Sequence, residues 1–282
     1  NTLSSIKGFA YMAGIFVLNI AAPLIIGDTT VAAGYLRLVT IATVIIIGCS
    51  VIGTLGIHER IQAAPDAESY KFKDLFRILT QKPVWVTFLS TMAYMVGTYI
   101  LNTSNTYFFA YVIGDLSLLS IVSIVQLVTL IPFTILAVPL VNKFGKKKLY
   151  TVGLALITLT PIVRLLNVTN VPILLITTAA TGIGSGMCMP LTYSIQADNT
   201  DYVELNLGLK AQGAIAALSS FITKCAMGIG GAIPGYILAS VGFDATAATQ
   251  PSSVNSAIIF CVIGAPALLG AVGILVFSLL YP

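Results

Sequence analysis

Long apolar runs, separated by short polar segments, cover most of the chain. Eight such runs lie at residues 8–27, 33–56, 84–112, 117–141, 149–167, 171–196, 209–242 and 255–280, and each is long enough to cross a bilayer as a helix. Hydrophobic residues make up 57% of the sequence and charged residues 9%, against about 25% charged in a soluble domain. The pattern predicts an all-α, multi-pass protein of the cell membrane with eight transmembrane helices.

The Lys and Arg residues of the loops fall in alternate loops. They occur in the segments 57–83, 142–148 and 197–210, whereas the segments between the other pairs of runs contain none. Cytoplasmic loops of membrane proteins carry an excess of Lys and Arg, so this alternation places both ends of the chain in the cytoplasm. The net charge of +4 comes from these loops and gives no reason to expect a nucleic-acid partner.

The connection between the second and third runs is the only long one. Its residues 70–80 predict an amphipathic helix on the cytoplasmic membrane surface, with Phe72, Leu75, Phe76 and Leu79 on one face. Six runs follow, as after the middle loop of a twelve-helix transporter built from two halves. We therefore expect a fragment of a longer protein, in three parts. They are the last two helices of a first half at 1–57, a middle loop at 58–83 and a six-helix bundle at 84–282.

Lys224 lies inside the seventh run, about 21 Å along a helix from Lys210 and therefore near the middle of the membrane. An ionisable side chain there costs on the order of 2.5–3.5 kcal/mol on insertion scales. None of the ten carboxylates lies at that depth. Three explanations stay open: a carboxylate outside this chain, a bound anionic substrate, or a neutral lysine. Snorkelling to the interface is a fourth, which the depth of the residue opposes.

Polar residues occupy one face of the third run. Tyr94, Thr98, Asn102 and Asn105 follow one another at spacings of four, four and three, and such residues stack on one side of a helix. In lipid a polar face must meet protein or water. These side chains therefore line a cavity or bond to a neighbouring helix.

Two other features of the apolar runs predict packing rather than function. Arg164 lies about three residues from the outer end of the fifth run, and we expect its side chain to snorkel to the interface. Gly231 and Gly235 form a GxxxG motif in the seventh run. Such a motif predicts close contact with another helix or, alternatively, a flexible point in a moving one.

The chain offers little support for an enzyme. Its one histidine, His58, lies in the cytoplasmic loop, and no Ser-His-Asp set, paired intramembrane carboxylates or metal-ligand cluster is present in the sequence. The four cysteines lie in apolar runs without CxxC spacing, which predicts free thiols. We therefore expect neither an enzyme nor a bound metal or cofactor.

Two adjoining segments resemble the signature region of one family of carriers. Residues 197–213 read ADNTDYVELNLGLKAQG, and residues 221–243 read FITKCAMGIGGAIPGYILASVGF. Together they resemble the glycoside–pentoside–hexuronide:cation symporters, sugar carriers of the major facilitator superfamily. Weaker similarities are YFFAYVIGD at 107–115 and NKFGKKK at 142–148, where Asn142 stands at a position usually held by aspartate.

The resemblance implies the major facilitator fold with alternating access, with this chain forming helices five to twelve of twelve. Lys224 falls on the family's lysine of helix eleven, which contributes to sugar and cation coupling. Further substrate-binding positions, from the resemblance and from the polar face of the third run, are Lys7, Thr98, Asn102, Asn105, Met189, Ser219, Ser220 and Thr223. Lys7 replaces an arginine and Met189 a tryptophan, and the loss of a bidentate fork and of a stacking surface argues against melibiose itself.

The function implied by the resemblance is symport of a sugar, glycoside or hexuronide with Na⁺ or H⁺. The cation would bind mainly to acidic residues of helices two and four, which this chain does not contain. We expect a monomer in the lipid bilayer. Two alternatives stay open: a lysophospholipid carrier, in which Lys224 meets a headgroup phosphate, and a non-transporting membrane sensor or scaffold.

Asp198, Asp201 and Glu204 form an acidic segment between the sixth and seventh runs. We expect these carboxylates to meet cationic residues of the opposite half when the carrier faces outward. Charge-assisted pairs of this kind would favour one access state over the other, which makes the three residues candidates for a gate.

The alternation of loop charge makes a direct prediction about topology. A cysteine introduced next to Lys147 should react with an impermeant thiol reagent only from the cytoplasmic side, and one introduced next to Ala247 only from outside. Labelling of both positions from the same side would exclude the eight-span arrangement.

Overall fold

A computed structural model describes residues 32–56, 72–244, 247 and 250–282, together with the single positions 14, 21 and 25. The first predicted run, at 8–27, therefore stays a prediction, and Lys7 lies outside the described residues. Helix α1, Ala32–Gly56, belongs to one compact unit and Phe72–Pro282 to another. Each unit is described by itself.

The described part of the second unit consists of helices joined by short connections. Its elements are α2 Phe72–Leu79, α3 Lys82–Tyr107 with a π-helical turn at Phe108–Ile113, α4 Ser117–Phe144, α5 Lys146–Leu159 with a 3-10 segment at Thr160–Leu166, α6 Val171–Leu207, α7 Gln212–Ser240, α8 Ser252–Ile259, a π-helical turn at Phe260–Gly264, and α9 Ala265–Leu280. Seven stretches of the described chain are long and apolar enough to cross a membrane, and they coincide with the second to eighth predicted runs.

The spanning helices of this unit pack side by side in the order α4, α6, α5, α9, α3 and α7. Helix α6 lies between α4 and α5, and α3 lies between α7 and α9. Outward faces stay apolar. On α4, exposed apolar residues recur every three or four positions, at Ile121, Ile124, Val128, Ile131 and Ile135. An exposed apolar stripe on a spanning helix is a surface for lipid.

The turn between α4 and α5 depends on one glycine. Gly145 has a φ of 81° and is the only residue between the end of α4 and Lys146. A residue with a Cβ atom is strained at such an angle, whereas glycine adopts it freely. Because the connection is one residue long, Lys146 and Lys147 are the first two residues of α5.

Helix α2 lies within the predicted amphipathic segment, but its apolar side packs against protein. Ile78 is fully buried in a cluster with Val84 of α3, Val203 of α6 and Ile215 of α7. Phe76, which we had placed on the membrane-facing side, is 59% exposed. The predicted apolar face did not include Ile78, which is the most deeply buried of the described side chains of this helix.

Arg164 turns into the helix bundle, and the expectation of snorkelling was wrong. Its side chain is 7% exposed, with Nε donating to Thr177 Oγ1 at 2.7 Å and Nη2 donating to Thr178 Oγ1 at 3.0 Å. Both hydroxyl groups donate their own hydrogens to backbone carbonyls of α6, so their lone pairs are free to accept. The guanidinium therefore finds acceptors inside the bundle and joins α5 to α6.

Close contact between α3 and α7 occurs at Gly230 rather than at the GxxxG motif. A Cβ atom added at Gly230 would lie 2.6 Å from the Tyr99 Cβ and 2.7 Å from the Val96 carbonyl oxygen. Nothing lies within 4 Å of the corresponding position at Gly231 or Gly235 among the described residues. The motif predicted the right helix for close packing, but the contact lies on a different face.

The neighbouring glycines provide a matched test of this contact. Gly230→Ala should lower the free energy of unfolding by about 1–3 kcal/mol, because the new methyl group meets backbone atoms that cannot rotate away. Gly231→Ala should leave stability unchanged or raise it slightly, since it removes the helix penalty of glycine. The measurement is thermal unfolding of the purified protein in detergent. Equal melting temperatures for the two variants would contradict the packing described here.

Candidate functional site

Lys224 lies near the middle of α7, roughly 18 Å along the helix from Gln212. Its side chain is exposed at the surface of the unit, on the face that also carries Ser220 and Gly231. No carboxylate of the described residues forms an ion pair with it, and the ion pair between Lys146 and Asp198 lies elsewhere in the unit. Within the described part of the chain, the structure therefore agrees with the sequence on the point that makes Lys224 unusual: it is a cation at mid-span with no carboxylate paired to it.

Ser219 and Thr223 lie one turn apart on an adjacent face of α7, and both are half-buried. Thr223 Oγ1 donates to the Ser219 carbonyl oxygen at 2.9 Å. The Ser219 hydroxyl accepts a hydrogen bond from Nε2 of Gln196 on α6, at 2.6 Å. These two predicted residues are thus brought together with a third that the sequence did not single out.

Gln196 shares a face of α6 with Met189, which lies seven residues earlier and is also half-buried. Two turns of helix separate them, which is about 10 Å. That spacing was the signal in the sequence that could have identified Gln196. It was not used in the sequence analysis, which ended the sixth apolar run at residue 196 and considered only Met189 as a substrate-binding residue on this helix.

The side chains of the predicted polar face of α3 differ in what surrounds them. Thr98 Oγ1 donates to the Tyr94 carbonyl oxygen at 3.1 Å, within its own helix. The Tyr94 side chain packs against the hydrophobic cluster around Tyr150 and Phe277. Asn102 is exposed and Asn105 half-buried, and neither side chain hydrogen-bonds to another described residue. Asn102 and Asn105 therefore remain available to a ligand, whereas Tyr94 belongs to the core.

A second polar cluster lies at the end of the unit formed by the α4–α5 turn. Lys146 Nζ donates to both carboxylate oxygens of Asp198 at 2.7 Å. Lys147 Nζ donates to the Tyr281 carbonyl oxygen, and the Tyr281 ring stacks on Phe277 with centroids 4.6 Å apart. Burial, and then the negative charge of Asp198, raise the pKa of Tyr281 to about 12. The cluster joins the start of α5 to Asp198 of α6 and to the residue that follows α9.

The ion pair of Asp198 with Lys146 is relevant to the predicted gate, for which we expected different partners. We expected cationic partners from the opposite half, and the structure shows a lysine of the same unit. The Lys146 and Asp198 side chains are 34% and 43% exposed, so the pair stabilises the fold by no more than about 0.2–1 kcal/mol. Asp201 and Glu204 are exposed and form no ion pair with a described residue. The gate itself stays a prediction.

Comparison with known proteins identifies the family. The whole chain, residues 1–282, matches the family described as MFS/sugar transport protein. The chain belongs to this family. Its members are transporters with the all-α major facilitator fold, which confirms the predicted fold class, the resemblance to the glycoside–pentoside–hexuronide symporters and the expectation that the protein is not an enzyme.

Individual relatives are similar over different parts of the chain. The isoprimeverose transporter of Lactiplantibacillus pentosus is 28% identical over 263 residues, which is 90% of this chain and 55% of that protein. A glucuronide carrier protein homolog of Escherichia coli is 27% identical over 178 residues, 61% of this chain and 38% of that protein. A putative glycoside/cation symporter of Escherichia coli is 36% identical over 76 residues, 26% of this chain and 16% of that protein. The matched segments thus span about half the length, or less, of these relatives.

Exchange of the two charges tests what Asp198 contacts. Asp198→Asn should lower the melting temperature slightly and shift the balance between inward- and outward-facing states of the full carrier. Lys146→Asp combined with Asp198→Lys should restore the melting temperature, because the pair within the unit forms again. We expect the access balance, measured by side-specific cysteine labelling, to stay shifted, since a lysine at position 198 repels cations of the opposite half. Recovery of both properties would show that Asp198 serves Lys146 alone.

Proposed function

We propose that the full carrier moves a sugar, glycoside or hexuronide across the membrane together with Na⁺ or H⁺, by alternating access of a mid-membrane site. The observation that carries this proposal is Lys224, an exposed cation at mid-span whose unit supplies no anion among the described residues. Substrate oxygens, or a carboxylate of the part of the carrier outside this chain, would compensate its charge.

The chemistry around Lys224 suits a ligand with many hydroxyl groups. Ser220 is exposed one turn before it, and Ser219 and Thr223 are half-buried beside it. Gln196 reaches the same place from α6 through its hydrogen bond to Ser219. Hydroxyl, amide and ammonium groups together donate and accept hydrogen bonds in the way that sugar hydroxyls require.

The relatives support sugars as the substrate class and leave the charge of the sugar open. One relative is named for isoprimeverose and another for glucuronides, so both neutral and acidic sugars occur among the names. A third is named a putative glycoside/cation symporter, which supports coupling to a cation. We place the cation mainly in the part of the carrier outside this chain, as the resemblance to the symporter family implies.

The test of this proposal is transport by the full-length carrier in proteoliposomes. Lys224→Met keeps the apolar stem and removes the charge, so it should abolish coupled uptake while leaving insertion intact. Lys224→Arg keeps the charge in a planar fork and should retain part of the activity. Uptake of methyl β-D-glucuronide and of methyl β-D-glucoside, with imposed Na⁺ or H⁺ gradients, measures both.

The two glycosides also separate the possible roles of the lysine. If the natural substrate is a hexuronate, loss of the charge should reduce uptake of the glucuronide more than uptake of the matching neutral glycoside. Full activity of Lys224→Met towards both would show that the lysine is structural. Uptake of a lysophospholipid in place of either glycoside would favour the alternative carrier function.

A further inference from the structure

The hydrogen bond from Gln196 to Ser219 links two spanning helices that otherwise pack mainly against other neighbours. Helix α6 packs mainly against α4 and α5, and α7 packs mainly against α3. Gln196 Nε2 donates to Ser219 Oγ at 2.6 Å, across a sequence separation of 23 residues. Hydrogen bonds of this kind often serve helix packing in membranes, so the direction of this bond and its position decide whether it does more.

The direction of this bond determines what the Ser219 hydroxyl can do. The amide N–H of Gln196 uses a lone pair of the serine oxygen, so the hydroxyl keeps its hydrogen to donate elsewhere. Thr223, one turn later, donates its hydroxyl to the carbonyl four residues before it, as threonine and serine in helices often do. Ser219 makes no such bond, and no described residue accepts its hydrogen. The serine is therefore held as an unused hydrogen-bond donor.

A second amide on α6 provides a contrast. Asn199 Nδ2 donates to Thr87 Oγ1 of α3 at 3.1 Å, and the Thr87 hydroxyl donates to the Pro83 carbonyl oxygen at 2.7 Å. Asn199 is 1% exposed and Thr87 3% exposed, so this bond is sealed inside the unit. Gln196 and Ser219 are only half-buried and lie beside the residues assigned to the substrate.

We propose that Gln196 is a positioning residue of the substrate site, which orients the Ser219 hydroxyl to donate a hydrogen bond to an oxygen atom of the transported sugar. The inference rests on the proposed function of the carrier and adds to it a residue that acts through Ser219. It accounts for the direction of the bond, for the unused hydrogen of the serine, and for the half-buried position of both side chains next to Thr223 and Lys224.

The test is a double-mutant cycle on sugar binding by the full-length carrier. Gln196→Leu removes the amide and Ser219→Ala removes the hydroxyl, and each should raise the Kd by about threefold to tenfold, the effect of losing one hydrogen bond. The double variant should bind no more weakly than the weaker single variant, because both changes remove the same bond to the sugar. The probes are isoprimeverose, methyl β-D-glucuronide and methyl β-D-glucoside, titrated calorimetrically.

Two further variants distinguish a change in sugar binding from a change in folding stability. Gln196→Glu keeps the shape of the side chain, but its carboxylate requires Ser219 to donate to it. The sugar then loses its donor, and the Kd should rise as in Ser219→Ala while the melting temperature stays near that of the parent protein. Thr87→Val removes the sealed bond without a change of shape; it should lower the melting temperature and leave the Kd unchanged.

The possible outcomes separate this inference from the proposed function. Additive effects in the cycle, or an unchanged Kd in Gln196→Leu and Gln196→Glu, would overturn the role of Gln196 while sugar binding by the parent carrier still stood. Loss of stability without a change of Kd would make Gln196 equivalent to Asn199 and would likewise overturn it. Failure of the parent carrier to bind any of the three sugars would overturn the proposed function, and this inference with it.

Discussion

The close approach of α6 to the helices on both sides of it is the constraint on which the second unit depends. A Cβ atom at Gly184 would lie 2.5 Å from the Gly153 carbonyl oxygen of α5, and one at Gly186 would meet the Leu130 carbonyl oxygen of α4. Apolar side chains gain little from association in lipid, so backbone contact at small residues supplies much of the attraction between spanning helices. With α6 fixed between two neighbours, the positions of Met189 and Gln196 follow from helix geometry alone.

The polar groups of the unit divide into those that complete this packing and those that do not. The guanidinium of Arg164 with its two threonines, and the amide nitrogen of Asn199 with Thr87, form hydrogen bonds that the bilayer would not supply. Lys224 and Asn102 are exposed instead, and no described residue neutralises the one or bonds to the side chain of the other. These two side chains thus lie on the surface of the unit, whereas burial alone does not guarantee a partner, since the buried Asn199 Oδ1 accepts no hydrogen bond from a described residue.

The apolar runs of the sequence predicted the spanning helices well, because the length and composition of a run decide whether it can cross a membrane. The seven runs that fall on described residues each correspond to a helix long and apolar enough to span. What the sequence could not supply was the direction in which side chains point around each helix. The GxxxG motif named Gly231 and Gly235, whereas the contact occurs at Gly230; likewise, Gln196 and Ser219 meet only because two helices are placed side by side. Such partners depend on packing between distant segments, which no local pattern records.

The inward turn of Arg164 has a consequence for how deeply the α5–α6 hairpin sits in the bilayer. An arginine near a helix end ordinarily anchors that end at the headgroups, but this one is held by Thr177 and Thr178 and cannot do so. Leu165 and Leu166 beside it are 53% and 81% exposed, so hydrocarbon can cover the hairpin up to the four-residue connection 167–170. Asn167 and Asn170, which begin and end that connection, are uncharged and reach only a short distance. The depth of the hairpin in the bilayer is thus set by the boundary between apolar side chains and the two asparagines, not by a long charged side chain. Such a boundary makes this depth sensitive to the thickness of the surrounding membrane.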